Sequence, residues 1–368
     1  MKIPPSPPLI RGDGGFSYRT GGRWEMKAMA LKNFTDLKDN KSPLEMMEFP
    51  DPVPGEKEIL VKVSVCGVCH TELDEIEGRM PHLKLPLIPG HQAVGKIVKR
   101  GKKAVKFNVG ERVGIGWIYQ ACGKCRFCLA GTENLCEHFR ATGKDVHGGY
   151  AEYIKVPEDF AYLIPEMLSD AEAAPMLCAG AIGYRSLKLA CLKDCQNLGL
   201  TGFGASAHLV LKVVKHQRPQ TRIFVFARSE KERRFAEELG AHWTGDTEEK
   251  APEKLDCIID TTPVWKPVLH ALNNLRSGGR LVINAIQKEE KDKKYLLQLN
   301  YSAHLWLEKE IKTVANVTRN DIIEFLETAA KIPLKPEFQE FPLGEANKAL
   351  RELKERKIRG AKVIRVAV

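Results

Sequence analysis

The sequence predicts an α/β protein: a doubly wound parallel sheet joined to a second, mostly-β domain. Three observations carry this. From about residue 175 onward, strand-like and helix-like runs alternate. That is the rhythm of parallel strands with helices on both faces. Residues 26 to about 165 instead hold short apolar–polar alternations broken by Gly and Pro, as in a barrel or sandwich. The length of 368 residues, at roughly 150 per domain, allows two domains. A composition 43% hydrophobic and 28% charged can build cores and excludes a disordered chain.

Each element follows in order. The first 25 residues, rich in Pro, Gly and Arg, contain no apolar run of a secretory signal; they read as a flexible extension. Met26-Lys27-Ala28-Met29 opens the first strand-like run. EILVKVSV, from Glu58, alternates with period two, as a half-buried strand does. GHQAVGKIV from Gly90, ERVGIG from Glu111 and GGYAEYIKV from Gly148 repeat the pattern. Near Ala171 the spacing turns helical, with Ser169 and Glu172 as a capping box. Strands are then expected at 197–200, 222–227, 255–261, 279–285 and 311–317, with helices at 205–215 and 230–239. A helical run at 321–331 precedes a last strand at 362–368, which can return to the β-rich part. The expected division is therefore 26–174 plus 315–368 as one domain and 175–314 as the other.

The formal charge is +10, from 57 basic and 47 acidic residues. Basic residues are spread along the chain, and the run from Lys288 to Lys294 alternates sign. This is a solvated surface, so no nucleic-acid partner is expected. No apolar stretch approaches the roughly 18 residues of a membrane span.

Ten cysteines are the most informative count. A chain of this length has no need of disulfide staples. Cys122, Cys125, Cys128 and Cys136 fall within fifteen residues, in ACGKCRFCLAGTENLC. Four thiolates in one loop, within a lobe spanning about 120–137, can surround a zinc ion tetrahedrally. A ferredoxin cluster would need a three-residue last gap followed by Pro; here the gap is seven and Glu137 follows. With four ligands the site is closed, so it holds structure. Such clustering also points to metal in a reducing, cytoplasmic compartment.

Gly202-Phe203-Gly204-Ala205-Ser206-Ala207 follows a short strand and opens an apolar helix. In that context it is a dinucleotide-binding turn. Gly202 permits the tight turn, Gly204 lets the backbone approach a pyrophosphate, and Ala207 allows close packing. The next strand ends in Ala227, Arg228 and Ser229, with no acid to hold a ribose 2′-hydroxyl. Arg228 can meet a 2′-phosphate and Ser229 can add a hydrogen bond. NADP(H) is thus preferred, with NAD(H) possible.

GVCHTEL, PLIPGHQAVGKIVKRG, the four-cysteine lobe, GGYAEY, APMLCAG and GFGASAH occur in this order. Together they resemble the zinc-dependent alcohol dehydrogenases of the medium-chain dehydrogenase/reductase superfamily, close to the cinnamyl-alcohol-dehydrogenase-like branch. The resemblance covers about residues 26–368. It implies a GroES-like catalytic domain at 26–174 and 315–368, and a Rossmann domain at 175–314. It implies two Zn2+ per chain, the second a catalytic ion held by Cys69, His91 and Cys178, with Cys66 as a neighbour. It gives Thr71 the role of a proton-relay hydroxyl and His70 a place at the cofactor pyrophosphate. Arg319 and Arg359 resemble positions near the cofactor phosphates, and Trp117 a wall of the substrate pocket. The substrate would be a small alcohol or aldehyde, and the assembly a homodimer or homotetramer.

Three positions depart from the family pattern. Asp74 stands where the relay commonly ends in His, Glu72 where Asp is common, and Gln92 where Glu commonly follows the PGH histidine. The relay can end in solvent or use Asp74. Swaps around a metal tune its affinity and exchange without abolishing either. They leave one alternative, a non-catalytic NADP(H)-binding sensor or scaffold with its zinc sites retained. A zinc-free quinone-reductase-like enzyme is disfavoured by Cys69, His91 and Cys178 together. Cys66, Cys191, Cys195 and Cys257 are left as plain thiols.

Overall fold

The computed structural model describes residues 25–80, 83–194, 196–332, 334–357 and 359–366. The expected extension apart from Glu25, Cys195 and the last two residues of the expected final strand lie outside them.

Six parallel strands form one sheet, in the spatial order Trp243–Gly245, Arg222–Phe226, Asn197–Thr201, Leu255–Asp260, Leu275–Ile283, Glu310–Thr313. Numbered along the chain, that order is 3-2-1-4-5-6. It reverses between Asn197–Thr201 and Leu255–Asp260, where Thr201 and Asp260 are neighbours. Ligands of doubly wound sheets bind at this switch point, beyond the carboxyl ends of the strands. Every residue of Asn197–Thr201 is buried, because helices cover both faces of a parallel sheet. The helix Ala205–Gln217 packs its buried Leu209, Val210, Val213 and Val214 into that core.

The second sheet is mostly antiparallel: Phe338–Pro342, Ala361–Arg365, Glu58–Val68, Ala93–Arg100, Arg112–Ile115 and Ala161–Leu163, with Tyr153–Pro157 also paired to Glu58–Val68. The C-terminal strand Ala361–Arg365 pairs antiparallel with Val65–Val68, Ile364 opposite Cys66. The end of the chain thereby clamps the strand that leads into Cys69. A hairpin, Glu25–Leu31 with Leu44–Pro50, closes over this sheet.

Several elements differ from expectation. The three-residue strand Trp243–Gly245 is too short to show periodicity. The edge strand ends at Thr313 rather than 317. The helix expected from Asp321 begins at Arg319, because Thr318 caps it: its hydroxyl accepts from Asp321 N–H at 3.1 Å. The helical run after Ser169 is not continuous. It comprises Asp170–Pro175, a wide π turn at Met176–Gly180, and Ala181–Ala190. The capping box is present, with Ser169 Oγ accepting from Glu172 N–H at 3.2 Å and Glu172 accepting from Ser169 N–H at 2.8 Å. No helix among the described residues is long and apolar enough to cross a membrane.

Candidate active site and metal centres

Cys69 follows the strand Glu58–Val68 and occupies the N-cap position of the short helix His70–Ile76. His91 follows Gly90, whose φ of +98° favours glycine. Cys178 lies in the π turn, a local widening common at functional sites. Pro175, with no N–H to donate, ends the helix before it. A Cβ on Gly180 would come within 2.2 Å of Phe325 Cε1, so this glycine lets the turn press against the helix Arg319–Lys331.

These three distant segments bring Cys69 Sγ, a His91 ring nitrogen and Cys178 Sγ within 4.8 Å of one another. The two sulfurs are 4.0 Å apart. His91 Nδ1 faces Glu72 Oε1 at 2.7 Å. Its Nε2 is buried without a hydrogen-bond partner. An orphaned ring nitrogen beside two thiols is what a metal ligand set leaves when described without its ion, so the residues fit zinc. Three donors leave a fourth tetrahedral position open. The contact with Cys178 holds the Cys69 thiol well below its ordinary value, and the same contact pushes Cys178 well up.

Glu72 is fully buried. Its Oε1 meets His91, and its Oε2 accepts from Cys69 N–H at 2.7 Å. One carboxylate thus orients two members of the triad. The sequence marked Glu72 only as longer than the common Asp; its reach to His91 becomes visible once the two strands pair. Glu72→Ala is expected to raise the zinc dissociation constant of this site about 10–100-fold. Competition with a chromogenic chelator measures it.

Thr71 is buried, its Oγ1 3.6 Å from Cys69 Sγ. His70 is exposed at the start of the helix. Asp74 is turned toward Arg79, with Oδ1 2.7 Å from Nε. Burial raises its pKa and Arg79 offsets part of that rise. Beside it, Glu75 is fully buried with both carboxylate oxygens unpartnered. Burial first, then Glu72, push its pKa well up. Gln92 is buried, close enough to Gly67 that a Cβ there would sit 2.9 Å from its Cδ. Trp117 is 8% exposed, its ring 5.3 Å from Phe139.

The four-cysteine segment folds around a short helix, Arg126–Leu129, and a turn at Glu133–Leu135. All four ligand atoms lie within 4.8 Å of one another. Cys122 and Cys128 sulfurs are 3.9 Å apart, and Cys125 and Cys128 3.6 Å. Backbone N–H groups of Lys124 and Cys125 draw the Cys122 thiol down to about 6. Burial, then Cys125, push Cys128 up to about 12. Four sulfurs this close compete for protons, and a divalent ion relieves the competition. Glu133 anchors the lobe to the rest of the chain: its Oε1 accepts from Arg319 N–H at 2.7 Å and from Arg319 Nε at 3.1 Å. Arg319, expected near cofactor phosphate, therefore also braces the lobe. Of the other thiols, Cys66 and Cys257 are buried; Cys191 is exposed, 3.0 Å from Arg280 Nη1.

Gly202 has φ +80°, and a Cβ there would meet Thr261 Oγ1 at 2.8 Å. At Gly204 a Cβ would meet nothing within 4 Å. The backbone there borders open space at a helix N-terminus without a side-chain cap, a cradle for a pyrophosphate. Ala207 is 1% exposed, so its small side chain packs closely. Arg228 and Ser229 are exposed beyond the neighbouring strand, and Arg233 braces the Ala227 and Arg228 carbonyls at 2.7 and 3.1 Å. Among the described residues Arg228 has no carboxylate within 4.0 Å. Arg359 lies 4.5 Å over the Phe235 ring and pairs with Glu238 at 2.7 Å.

Contacts unforeseen in the sequence tie the parallel sheet to the segment that follows the helix His70–Ile76. Lys288 is half-buried, its side chain 7% exposed; it donates to Thr262 O at 2.7 Å and pairs with Asp260 at 2.5 Å, fixing the segment after Ile283. From that segment, Gln287 Nε2 donates to Arg79 O at 3.0 Å. No short-range pattern signals such pairings.

Comparison with known proteins agrees with this geometry. The model of the alcohol dehydrogenase GroES-like domain matches residues 55–166. A probable alcohol dehydrogenase of Mycobacterium tuberculosis is 41% identical over 327 residues, 88% of this chain and 92% of its own length. An alcohol dehydrogenase of Geobacillus stearothermophilus is 33% identical over 93% of this chain and 99% of its own. Among solved structures, a cinnamyl alcohol dehydrogenase of Sorghum bicolor superposes with TM-score 0.82 at 25% identity, over 93% of this chain and 97% of its own. The Helicobacter pylori CAD, complexed with NADP(H), shares the fold with TM-score 0.82 at 22% identity, over 94% and 99% of the two chains. The chain belongs to the zinc-dependent alcohol dehydrogenases of the medium-chain dehydrogenase/reductase superfamily, in the cinnamyl-alcohol-dehydrogenase-like branch.

Proposed function

We propose that this protein is an NADP(H)-dependent oxidoreductase of primary alcohols and their aldehydes, with two zinc ions per chain. The observation that carries the reading is the convergence of Cys69, His91 and Cys178 with an unpartnered, buried His91 Nε2. Zinc held there supplies a Lewis acid that polarises a substrate oxygen and eases loss of an alcohol proton. Cys122, Cys125, Cys128 and Cys136 would close the second, structural site.

The chain's own residues do the rest. Thr71, buried beside the triad, takes the substrate's hydroxyl proton into a relay. Asp74 is the candidate end of that relay, and its pairing with Arg79 keeps its carboxylate in one orientation. His70 and the Gly202–Ala207 turn receive the pyrophosphate, and Arg228 with Ser229 the 2′-phosphate. Arg319 and Arg359 would lie toward the cofactor phosphates, each already braced by an acid. The hydride chemistry itself belongs to the nicotinamide. Residues 26–174 with 315–368 would form the catalytic domain and 175–314 the cofactor domain, in a homodimer or homotetramer of the cytoplasm.

A panel of primary alcohols and aldehydes, each run with NADP(H) and NAD(H), tests this. Turnover with a clear NADP(H) preference is expected; absence of turnover with any of them favours the non-catalytic alternative. Arg228→Leu is expected to raise the KM for NADP about tenfold or more while changing that for NAD little, since one charge-assisted phosphate contact is worth about 1.5–3 kcal/mol. Equal changes for both cofactors contradict the assignment.

A further inference from the structure

A cavity of about 580 Å3 opens in the mostly-β part of the chain. It shares no lining residue with either cysteine centre or with the Gly202 turn. Its walls are largely apolar and aromatic: Phe49, Leu85, Tyr119, Val146 and Ile154 are among them. Its size falls within the range of small-molecule sites, which combine such walls with a few polar groups.

Four cations line it, Lys84, Arg140, Lys144 and Lys155, against one lining carboxylate, Asp145. Two are neutralised. Lys144 pairs with Asp145 at 2.9 Å, and Lys155 with Glu58 at 3.1 Å. Glu58 also accepts from the Tyr119 hydroxyl, which fixes that ring in the wall. The other two keep their charge. Arg140 donates to the Asp145 carbonyl at 3.2 Å and lies 5.6 Å over the Tyr119 ring; neither contact supplies a negative charge. Lys84 has no carboxylate within 4.0 Å among the described residues. The cavity therefore couples an apolar, ring-lined body to two cations that no carboxylate among the described residues compensates. Such a site is complementary to a ligand with one anionic end and one apolar end. A guanidinium held by one N–H still has a fork free for a carboxylate.

We propose that this cavity is a second ligand site, separate from the metal centre, which takes a small carboxylate with an aromatic or branched apolar body. The proposal does not depend on the dehydrogenase reading.

Isothermal titration calorimetry of the intact, zinc-loaded chain with 3-phenylpropanoate tests it, beside its neutral amide and inorganic phosphate. The carboxylate is expected to bind at least tenfold more tightly than either. Arg140→Gln and Lys84→Gln, both at exposed positions, are each expected to weaken it severalfold, and together at least tenfold. Cys69→Ser, verified as folded by circular dichroism, is expected to leave binding unchanged. Four results overturn the proposal: no binding; binding insensitive to Arg140 and Lys84; equal binding of the amide or of phosphate; or loss of binding in Cys69→Ser, which would locate the carboxylate at the metal centre.

Discussion

Cys178→Ser is expected to lower kcat/KM for alcohol oxidation about a thousandfold or more, with the fold intact. A metal Lewis acid is worth several kcal/mol of transition-state stabilisation, and each 1.36 kcal/mol is a factor of ten. Cys178 is one of three candidate donors that the described residues bring to that centre, and serine is nearly isosteric but a poor zinc ligand. Its π turn is held by independent packing of Met176 and Leu177, both fully buried, so the loss is chemical. Steady-state NADP(H) kinetics beside a urea unfolding curve separate the two effects. Activity above a tenth of wild type would remove Cys178 from the ligand set.

Cys125→Ser is expected to have the larger effect on stability. The lobe has little apolar core of its own: Leu129 and Leu135 are exposed, and of its four cysteines only Cys136 is buried. Its order would therefore depend on a bound ion, as in small structural zinc sites. Loss of one ligand is expected to cost about 3 kcal/mol or more, in the range of mutations that remove a metal. It also frees the Arg319 side chain by releasing Glu133. Limited proteolysis is expected to cut first within residues 122–136, while the parallel sheet stays protected. Cleavage elsewhere, or an unchanged urea midpoint, contradicts this.

Features carried by local spacing were legible in the sequence. The four cysteines lie within one turn-rich segment, so their convergence needs no knowledge of topology. Likewise, Gly202 and Gly204 announce a strand–turn–helix that packs within itself. The candidate metal triad was legible only through family resemblance, because Cys69 and Cys178 are 109 residues apart and nothing local ties them. The π turn at Met176–Gly180 was invisible because its apolar residues keep helical spacing; Pro175 was the one local signal. Glu72 against His91, Glu133 against Arg319 and Gln287 against Arg79 are long-range pairings that only the assembled sheets create. Trp243–Gly245, a three-residue strand, is fixed by its parallel pairing with Phe224–Phe226 rather than by its own pattern.

The most direct measurement is zinc content per chain by inductively coupled plasma mass spectrometry, for wild type, Cys69→Ser and Cys122→Ser. Two zincs in the wild type and one in each variant are predicted. One zinc in the wild type, lost on Cys122→Ser but kept on Cys69→Ser, would contradict a metal centre at Cys69, His91 and Cys178.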